Sequence, residues 1–175
     1  MADAQDQWDF EADKAEVVEL PPGWAWTTLN KFVESKSGNG KLIKGKQLDT
    51  PISGSYPAFS ATGQDVWRYE YEHEGNAIIL SAVGARCGKA FVAGGKWSAV
   101  ANTHILRVHE SVGDNRFFWF LFNDENFWER GGSAQPFVRT RKSLEKKIAL
   151  PPLDEQRRIV DRIDELFSRI EAGER

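Results

Sequence analysis

Short apolar runs separated by turn residues fill the chain from residue 24 to residue 108. Aromatic and β-branched side chains dominate these runs, and such side chains pack well on a pleated, half-buried surface. The predicted β-strands cover residues 24–29, 56–60, 66–69, 77–83, 89–93 and 103–108. Glycines between the runs supply the positive φ angles that tight turns need. The pattern therefore predicts a twisted sheet that is mixed or mostly antiparallel.

A dense aromatic segment follows the predicted strands. Residues 115–129 read NRFFWFLFNDENFWE, and their partly apolar face predicts a helix packed against the sheet. Stacking on unpaired bases is the alternative use of such aromatic side chains. Residues 134–142 are polar, and residues 144–150 form one more apolar element, which ends at Pro151 and Pro152.

The last segment has the clearest helical pattern. Residues 153–171 contain no Gly or Pro, and the carboxylates of the first turn suit the positive end of the helix dipole. The apolar positions follow the 4-3-4 spacing of a heptad seam with one widened flank: Ile159, Ile163, Leu166 and Ile170, with Val160 and Phe167 beside them. A helix of about two heptads is marginally stable alone, so this stripe must contact its own domain or a partner. The spacing leaves both alternatives open.

Together these elements predict an α+β fold in three parts. A sheet domain with a packed helix covers residues 21–152, and an amphipathic helix of the coiled-coil type covers residues 153–175. Residues 1–20 form an acidic arm, which ends at a Pro-Pro-Gly turn. A length of 175 residues fits one domain of this kind with a short appendage.

Charge is distributed unevenly along the chain. The net charge is -3, but residues 1–20 contain seven acidic residues and one basic residue, so the other 155 residues carry 22 bases against 19 acids. Residues 36–46 contain four lysines and no acid, and residues 130–147 contain six bases and one acid. These two basic patches are typical of surfaces that face phosphates, although an ordinary solvated surface explains either patch alone equally well.

The sequence excludes several classes of protein. No stretch of 18 apolar residues is present, and the N-terminal residues lack the basic and apolar regions of a secretory signal. We therefore expect a cytoplasmic protein without a membrane span. One cysteine cannot form an internal disulfide, and three histidines do not have the spacing of a zinc site.

No catalytic motif is complete. The chain lacks the G-x-S-x-G nucleophile motif and the G-x-x-x-x-G-K-[ST] phosphate loop. An acidic segment over residues 65–74 surrounds His73, and Cys87 lies between Arg86 and Lys89. A small enzyme built on either feature is one alternative, but a solvated acidic turn and a structural cysteine are the commoner explanations.

Four segments resemble the DNA-specificity subunit of type I restriction-modification systems. Residues 20–24 read LPPGW, residues 56–63 read YPAFSATG, and residues 78–84 with Gly88 precede Trp97 and Ser98. Residues 148–160 read IALPPLDEQRRIV, in which a proline pair, a leucine and Glu-Gln precede the heptad helix. This last segment is the most specific of the four, and together the segments cover residues 20–171.

The resemblance implies a subunit that reads DNA but is not itself an enzyme. Residues 21–152 would form one target-recognition domain, which reads half of a bipartite double-stranded target, and residues 153–175 would begin a spacer helix. Partner methyltransferase subunits would use S-adenosylmethionine as their cofactor, and a restriction subunit would carry the nuclease and the motor. The chain would thus serve host defence without a cofactor or metal of its own.

Residue type and loop position select the candidates for DNA contact. Lysine and arginine contact phosphates, whereas Arg, Asn and Gln discriminate bases by paired hydrogen bonds. The segments 60–64, 86–89, 102–104 and 135–142 offer these types. The candidates are Lys41, Lys44, Lys46, Thr62, Gln64, Arg86, Lys89, Gln135, Arg139, Arg141 and Lys142. The candidate partner helix presents Ile159, Ile163, Leu166, Phe167 and Ile170.

Two questions stay open at the level of sequence. A complete subunit of the family has two recognition domains and two long helices, whereas this chain has one domain and about two heptads. The chain is therefore either a fragment or a half-subunit that pairs with a second copy, and its abrupt end in a charged segment favours truncation. The rival function is a protein-interaction module without DNA binding, in which the basic patches are only solvated.

Overall fold

The computed structural model describes residues 19–173, so the acidic arm predicted over residues 1–20 lies outside the described residues apart from its last two positions. The strands are β1 (Ala25–Thr28), β2 (Val33–Ser37), β3 (Tyr56–Ser60), β4 (Gly63–Arg68), β5 (His73–Glu74), β6 (Ala77–Ser81), β7 (Ala90–Ala93), β8 (Lys96–Ala99), β9 (Thr103–Val108), β10 (Arg130–Gly131), β11 (Phe137–Val138) and β12 (Lys147–Leu150). The helices are α1 (Asn115–Phe122), α2 (Thr140–Leu144) and α3 (Leu153–Glu171). This combination is the predicted α+β class.

Two four-stranded sheets form the body of the domain. The first has the order β2-β9-β6-β7, and all its neighbouring strands are antiparallel. The second has the order β4-β3-β8-β5 and contains one parallel pair, β3 with β8, between two antiparallel pairs. Two short antiparallel ribbons join β1 to β12 and β10 to β11.

Alternate residues of β6 face two different cores. Ile78 and Leu80 pack in the core that includes Phe118 and Phe122 of α1, whereas Ile79 packs in the core that includes Trp97 of β8. Every residue of β6 is therefore buried, as expected for a strand that is covered on both faces. The first sheet is thus the middle layer, between α1 on one face and the second sheet on the other.

The aromatic helix is shorter than predicted. The sequence predicts a helix over residues 115–129, but α1 ends at Phe122. Asp124 has an extended backbone, and its carboxylate accepts a 2.9 Å hydrogen bond from the N–H of Asn126. This contact starts a separate 3₁₀ turn at Glu125–Phe127, so the helix prediction is wrong for residues 123–129.

Other differences involve polar segments. Residues 140–144 form helix α2, where the pattern indicates a loop followed by an apolar element. The sequence also does not predict β2, in which Val33 is the only buried residue. An exposed edge strand needs no apolar alternation, because backbone pairing with β9 is enough to hold it.

Candidate nucleic-acid interface

One end of the first sheet carries two of the turns that contain candidate residues. Ser37 at the end of β2 pairs with His104 near the start of β9. Leu80 near the end of β6 pairs with Ala90 at the start of β7. The segments that follow β2 and β6 therefore leave the sheet at the same end.

Backbone contacts join the second sheet to the first at this end. The N–H of Asn39, just after β2, donates to the carbonyl of Ala99 in β8 at 2.9 Å, and the N–H of Ala101, just after β8, donates to the carbonyl of Leu42 at 3.0 Å. A Cβ atom on Gly38 would lie 2.3 Å from the carbonyl oxygen of Val100, so this approach requires glycine. The turns after β2, β3, β6 and β8 thus lie together, and we call this part of the domain the loop end.

The hairpin of β10 and β11 is attached to the loop end through the segment between β6 and β7. The N–H of Gly84 donates to the carbonyl of Pro136 at 2.8 Å, and the N–H of Val138 donates to the carbonyl of Ala82 at 2.9 Å. These two bonds hold residues 82–89 beside residues 130–139. The short helix α2 follows directly and packs against β2.

Ten of the eleven predicted DNA-contact residues lie on these segments. They are Lys41 and Lys44 after β2, Thr62 and Gln64 at the β3–β4 turn, Arg86 and Lys89 between β6 and β7, and Gln135, Arg139, Arg141 and Lys142 on the hairpin and α2. Lys46 is the exception, because it lies beside Trp67 and Tyr69, toward the opposite end of the second sheet.

Two of these candidates contact each other and an acidic residue. The ammonium of Lys44 donates to the hydroxyl of Thr62 at 2.6 Å and forms an ion pair with Asp65. Burial raises the pKa of Asp65, but hydrogen bonds from Lys44, Thr62 and Ser60 outweigh it and hold that pKa below the ordinary value. Lys44 and Thr62 must therefore release or share Asp65 before they bind a phosphate.

Acidic residues also pair with two other candidates. Lys142 lies 2.9 Å from a carboxylate oxygen of Glu129, and this hydrogen bond is the main reason that the pKa of Glu129 is lowered. Lys89 lies 3.8 Å from Glu125, which also pairs with Arg130 at 2.9 Å. These pairs are partly exposed, so they weaken but do not abolish the positive charge of the surface.

Four cationic side chains at the loop end form no ion pair within the described part of the chain. Lys41, Arg86, Arg139 and Arg141 are exposed, and none of them forms an ion pair with any residue in the range 19–173. The guanidinium of Arg139 lies 6.0 Å from the ring of Phe137, an exposed aromatic residue of the hairpin. This set is available to phosphates without breaking an existing ion pair.

The list of sequence candidates leaves out three polar residues beside Arg141, although the segments 102–104 and 135–142 contain two of them. Ser37, His104 and Thr140 line the same groove as Arg141, between β2 and α2. Burial lowers the pKa of His104, which favours its neutral form. The polar segment 102–104 is visible in the sequence, but nothing in the sequence places it next to α2.

The structure gives no support to the alternative catalytic sites. Cys87 is buried in the core with Trp128 and Phe122. His73 packs on the ring of Trp97 at a centroid distance of 4.7 Å, and its pKa is lowered mainly by burial. Among residues 19–173, no group of three or more His, Cys, Asp or Glu side chains is arranged to hold a metal ion.

Helix α3 divides into a packed half and an exposed half. Gln156 and Val160 are buried against the domain, and Ile159 and Ile163 are partly buried. The exposed fraction then rises to 43% at Leu166, 54% at Phe167 and 68% at Ile170. The first half of the helix thus contacts its own domain, and the second half leaves an apolar stripe uncovered, for which contact with a partner stays a prediction. In the described part of the chain, no helix is long and apolar enough to cross a bilayer.

Comparison with known proteins relates nearly the whole chain to one family. Residues 21–175 match the family model described as the type I restriction modification DNA specificity domain. The specificity subunit of the type I restriction enzyme EcoAI from Escherichia coli is 25% identical over 178 residues, which cover 90% of this chain and 30% of that protein. The EcoDI specificity subunit from Escherichia coli is 23% identical over 155 residues, which cover 87% of this chain and 33% of that protein. The chain thus spans about a third of the length of these curated relatives.

Solved structures share the fold. The HsdS subunit from Thermoanaerobacter tengcongensis superposes with a TM-score of 0.62 at 20% identity, over 91% of this chain and 41% of that one. The type I restriction-modification S subunit from M. genitalium superposes with a TM-score of 0.64 at 18% identity, over 89% of this chain and 42% of that one.

Proposed function

The chain belongs to the type I restriction modification DNA specificity family, and from this premise we propose that its loop end binds double-stranded DNA and reads one half of a bipartite target. One observation carries the proposal. Ten of eleven residues chosen for phosphate or base chemistry lie on segments that meet at the loop end, although they are spread over about a hundred positions of the sequence. A surface that serves only solvation has no need for this grouping.

The side chains of the loop end suit two different kinds of DNA contact. Lys41, Arg86, Arg139 and Arg141 are exposed and unpaired among the described residues, so they suit contacts with phosphates, which set the register of the protein on the duplex. Gln64 at the start of β4 and Gln135 on the turn between β10 and β11 carry exposed amides, which suit hydrogen bonds with base edges. Lys44 and Lys142 also contact phosphates once the DNA replaces Asp65 and Glu129 as their ion-pair partners.

The proposal includes partners that resemble those of the relatives. The matched relatives are named specificity subunits of type I restriction enzymes, so we propose that methyltransferase and restriction subunits act on the DNA that this chain binds. In this reading residues 21–152 are the target-recognition domain, and S-adenosylmethionine binds to the methyltransferase partner. The exposed half of α3 then contacts another helix, either from a second copy or from a longer subunit. A complex of this kind acts on DNA in the cytoplasm.

The decisive experiment measures how DNA affinity depends on salt. We expect the chain to bind a mixed pool of DNA duplexes at low ionic strength, with a logarithmic affinity that falls linearly with the logarithm of salt concentration. Arg141→Ala should weaken binding by about tenfold and reduce the slope by about 0.9, because it removes one charge-assisted phosphate contact. Arg158→Ala, which changes an exposed arginine of α3, is the matched control and should leave both quantities unchanged.

The same titration tests the rival function. A protein-interaction module with solvated basic patches would show no duplex binding even at low ionic strength. Binding that is equally weakened by Arg141→Ala and Arg158→Ala would indicate a diffuse charge effect rather than an interface at the loop end.

A further inference from the structure

A groove at the loop end contains polar groups that the fold does not use. It has a volume of about 340 Å³ and lies between the edge strand β2 and helix α2. Residues of β2, β9 and α2 line it: Ser35, Ser37, His104, Thr140, Arg141 and Glu145. A second recess shares His104, Thr140, Arg141 and Glu145 and extends to Arg139 and Lys142. The two recesses therefore adjoin around Thr140.

Two buried polar atoms of this groove have no hydrogen-bond partner. Thr140 is only 4% exposed, and its hydroxyl oxygen makes no hydrogen bond with any residue in the range 19–173. The same holds for Nδ1 of the partly buried His104. A buried hydroxyl without a partner destabilises the fold, and a valine would fill the position of Thr140 without that cost. The hydroxyl is shielded from water in this structure, so a ligand that displaces the atoms covering it would supply the missing partner.

The charges around the groove indicate what this ligand is. The side chains of Arg139 and Arg141 bring two positive charges without an ion pair to the two recesses, Lys142 brings a third that is paired with Glu129, and Glu145 supplies one carboxylate. Arginine, threonine and serine side chains donate hydrogen bonds to the oxygens of an anion. A phosphate protrudes from the DNA backbone and only accepts hydrogen bonds. A base edge lies at the floor of a DNA groove, too far inside the duplex to reach the recessed hydroxyl of Thr140.

We infer that this groove seats one phosphate of the DNA backbone, which receives hydrogen bonds from the guanidinium of Arg141 and the hydroxyl of Thr140. This inference rests on the proposed DNA-binding function and adds to it a specific site with a positioning residue that residue type and exposure do not reveal. His104 and its strand partner Ser37 line the same groove. The carboxylate of Glu145, which also lines it, disfavours a second phosphate there.

The test uses Thr140→Val, which keeps the shape of the side chain and removes the hydroxyl. We expect binding to a mixed pool of DNA duplexes at low ionic strength to weaken by about tenfold, as for loss of a hydrogen bond to a charged group. The urea midpoint should stay unchanged or rise, because the variant buries no unpartnered hydroxyl. Thr140→Ser should restore the affinity of the parent chain. Thr50→Val, at an exposed threonine two residues after Leu48, which pairs with Trp67 toward the opposite end of the second sheet, is the control and should change neither quantity.

The outcomes separate the seat from the proposed function. If the parent chain binds duplex DNA and Thr140→Val binds equally well, the groove is not a phosphate seat, although the DNA-binding function stands. If the parent chain does not bind at all, the proposed function itself fails. The double variant Thr140→Val with Arg141→Ala should lose less affinity than the product of the two single losses, because both residues hold the same phosphate. Losses that multiply would place them on separate phosphates and overturn the inference.

Discussion

The side-chain oxygen of Gln156 in α3 accepts a 2.8 Å hydrogen bond from the backbone N–H of Asp114, the residue that caps α1. The amide of Gln156 also donates to the carbonyls of Val112 and Pro151, each at 3.0 Å. Gln156 is fully buried, and these three bonds satisfy its side chain. The Pro-Pro-Leu-Asp-Glu-Gln segment thus has a structural reason, since its last residue fastens the start of α3 to the start of α1.

The first prediction concerns the stability that the three hydrogen bonds of Gln156 provide. Gln156→Leu should lower the free energy of unfolding by about 3 kcal/mol, because it leaves a partly buried N–H, a partly buried carbonyl and a buried carbonyl without partners. The measurement is urea denaturation at neutral pH. Arg158→Leu, an exposed position in the same turn region, is the control and should change stability by less than about 0.5 kcal/mol. Equal stability of the two variants would show that Gln156 does not hold the helix.

The second prediction concerns an acidic residue that restrains the interface. The pKa of Glu129 is lowered chiefly by its hydrogen bond with Lys142, so the carboxylate is ionised at neutral pH and occupies that lysine. Glu129→Gln should strengthen duplex binding severalfold and steepen the salt slope by about 0.9, because Lys142 becomes free for one more phosphate. Fluorescence anisotropy with a labelled duplex over a salt series measures both effects.

The control for this variant has the same change of charge away from the loop end. Glu110→Gln alters an exposed residue just after β9, and we expect little change in affinity or slope. Similar gains from both variants would mean that only net charge matters. Unchanged binding by Glu129→Gln would remove Lys142 from the interface.

The sequence predicts the parts of this fold that buried apolar residues determine. Strands β3 and β9 and helix α3 have the predicted bounds, because apolar residues that become buried mark each of them in the sequence. The end of α1 is not predictable in this way, since the run of Phe and Trp continues past Asp124. Only the local cap at Asp124 separates the helix from the 3₁₀ turn that follows.

The candidate interface shows a similar limit. Residue type finds the cations, but it does not reveal which of them are already paired. Lys142 pairs with Glu129, which is 13 residues away in the sequence, and Lys44 pairs with Asp65, which is 21 residues away. Both contacts depend on how the turns pack. Thr140 is a further case, because an unpartnered hydroxyl is defined only by the atoms that surround it in the fold.

The third prediction concerns the acid side of the stability curve. The folded-state pKa of Asp65 lies below its ordinary value, so this group contributes stability that is present above the unfolded pKa and is lost as pH falls through the folded pKa. Between these two values the unfolded chain binds more protons than the folded one. Asp65→Asn should therefore be less stable than the parent chain at about pH 5, and the difference should shrink on acidification to about pH 3.

Urea denaturation at several pH values measures this difference. Asp161→Asn changes an exposed aspartate of α3 and is the matched control, for which we expect a curve parallel to that of the parent chain. A constant difference between Asp65→Asn and the parent chain over the whole range would show that the cluster with Lys44 and Thr62 does not perturb this carboxyl group.

The fourth prediction concerns the uncovered half of α3. Phe167 stacks on Phe120 of α1 at a centroid distance of 6.4 Å, and Asp164 pairs with Arg116, so the helix stays attached to the domain up to this point. Leu166 and Ile170 remain exposed on the stripe.

If this stripe contacts a second copy, the mass of the 19.8 kDa chain in sedimentation equilibrium should rise toward twice that value with increasing concentration. Leu166→Glu combined with Ile170→Glu should abolish the rise and leave the urea midpoint unchanged, because charged side chains at exposed positions disrupt an apolar contact without disturbing the core. A parent chain that stays monomeric at all concentrations would contradict pairing with a second copy, and the partner of the stripe would then have to be a helix of another sequence.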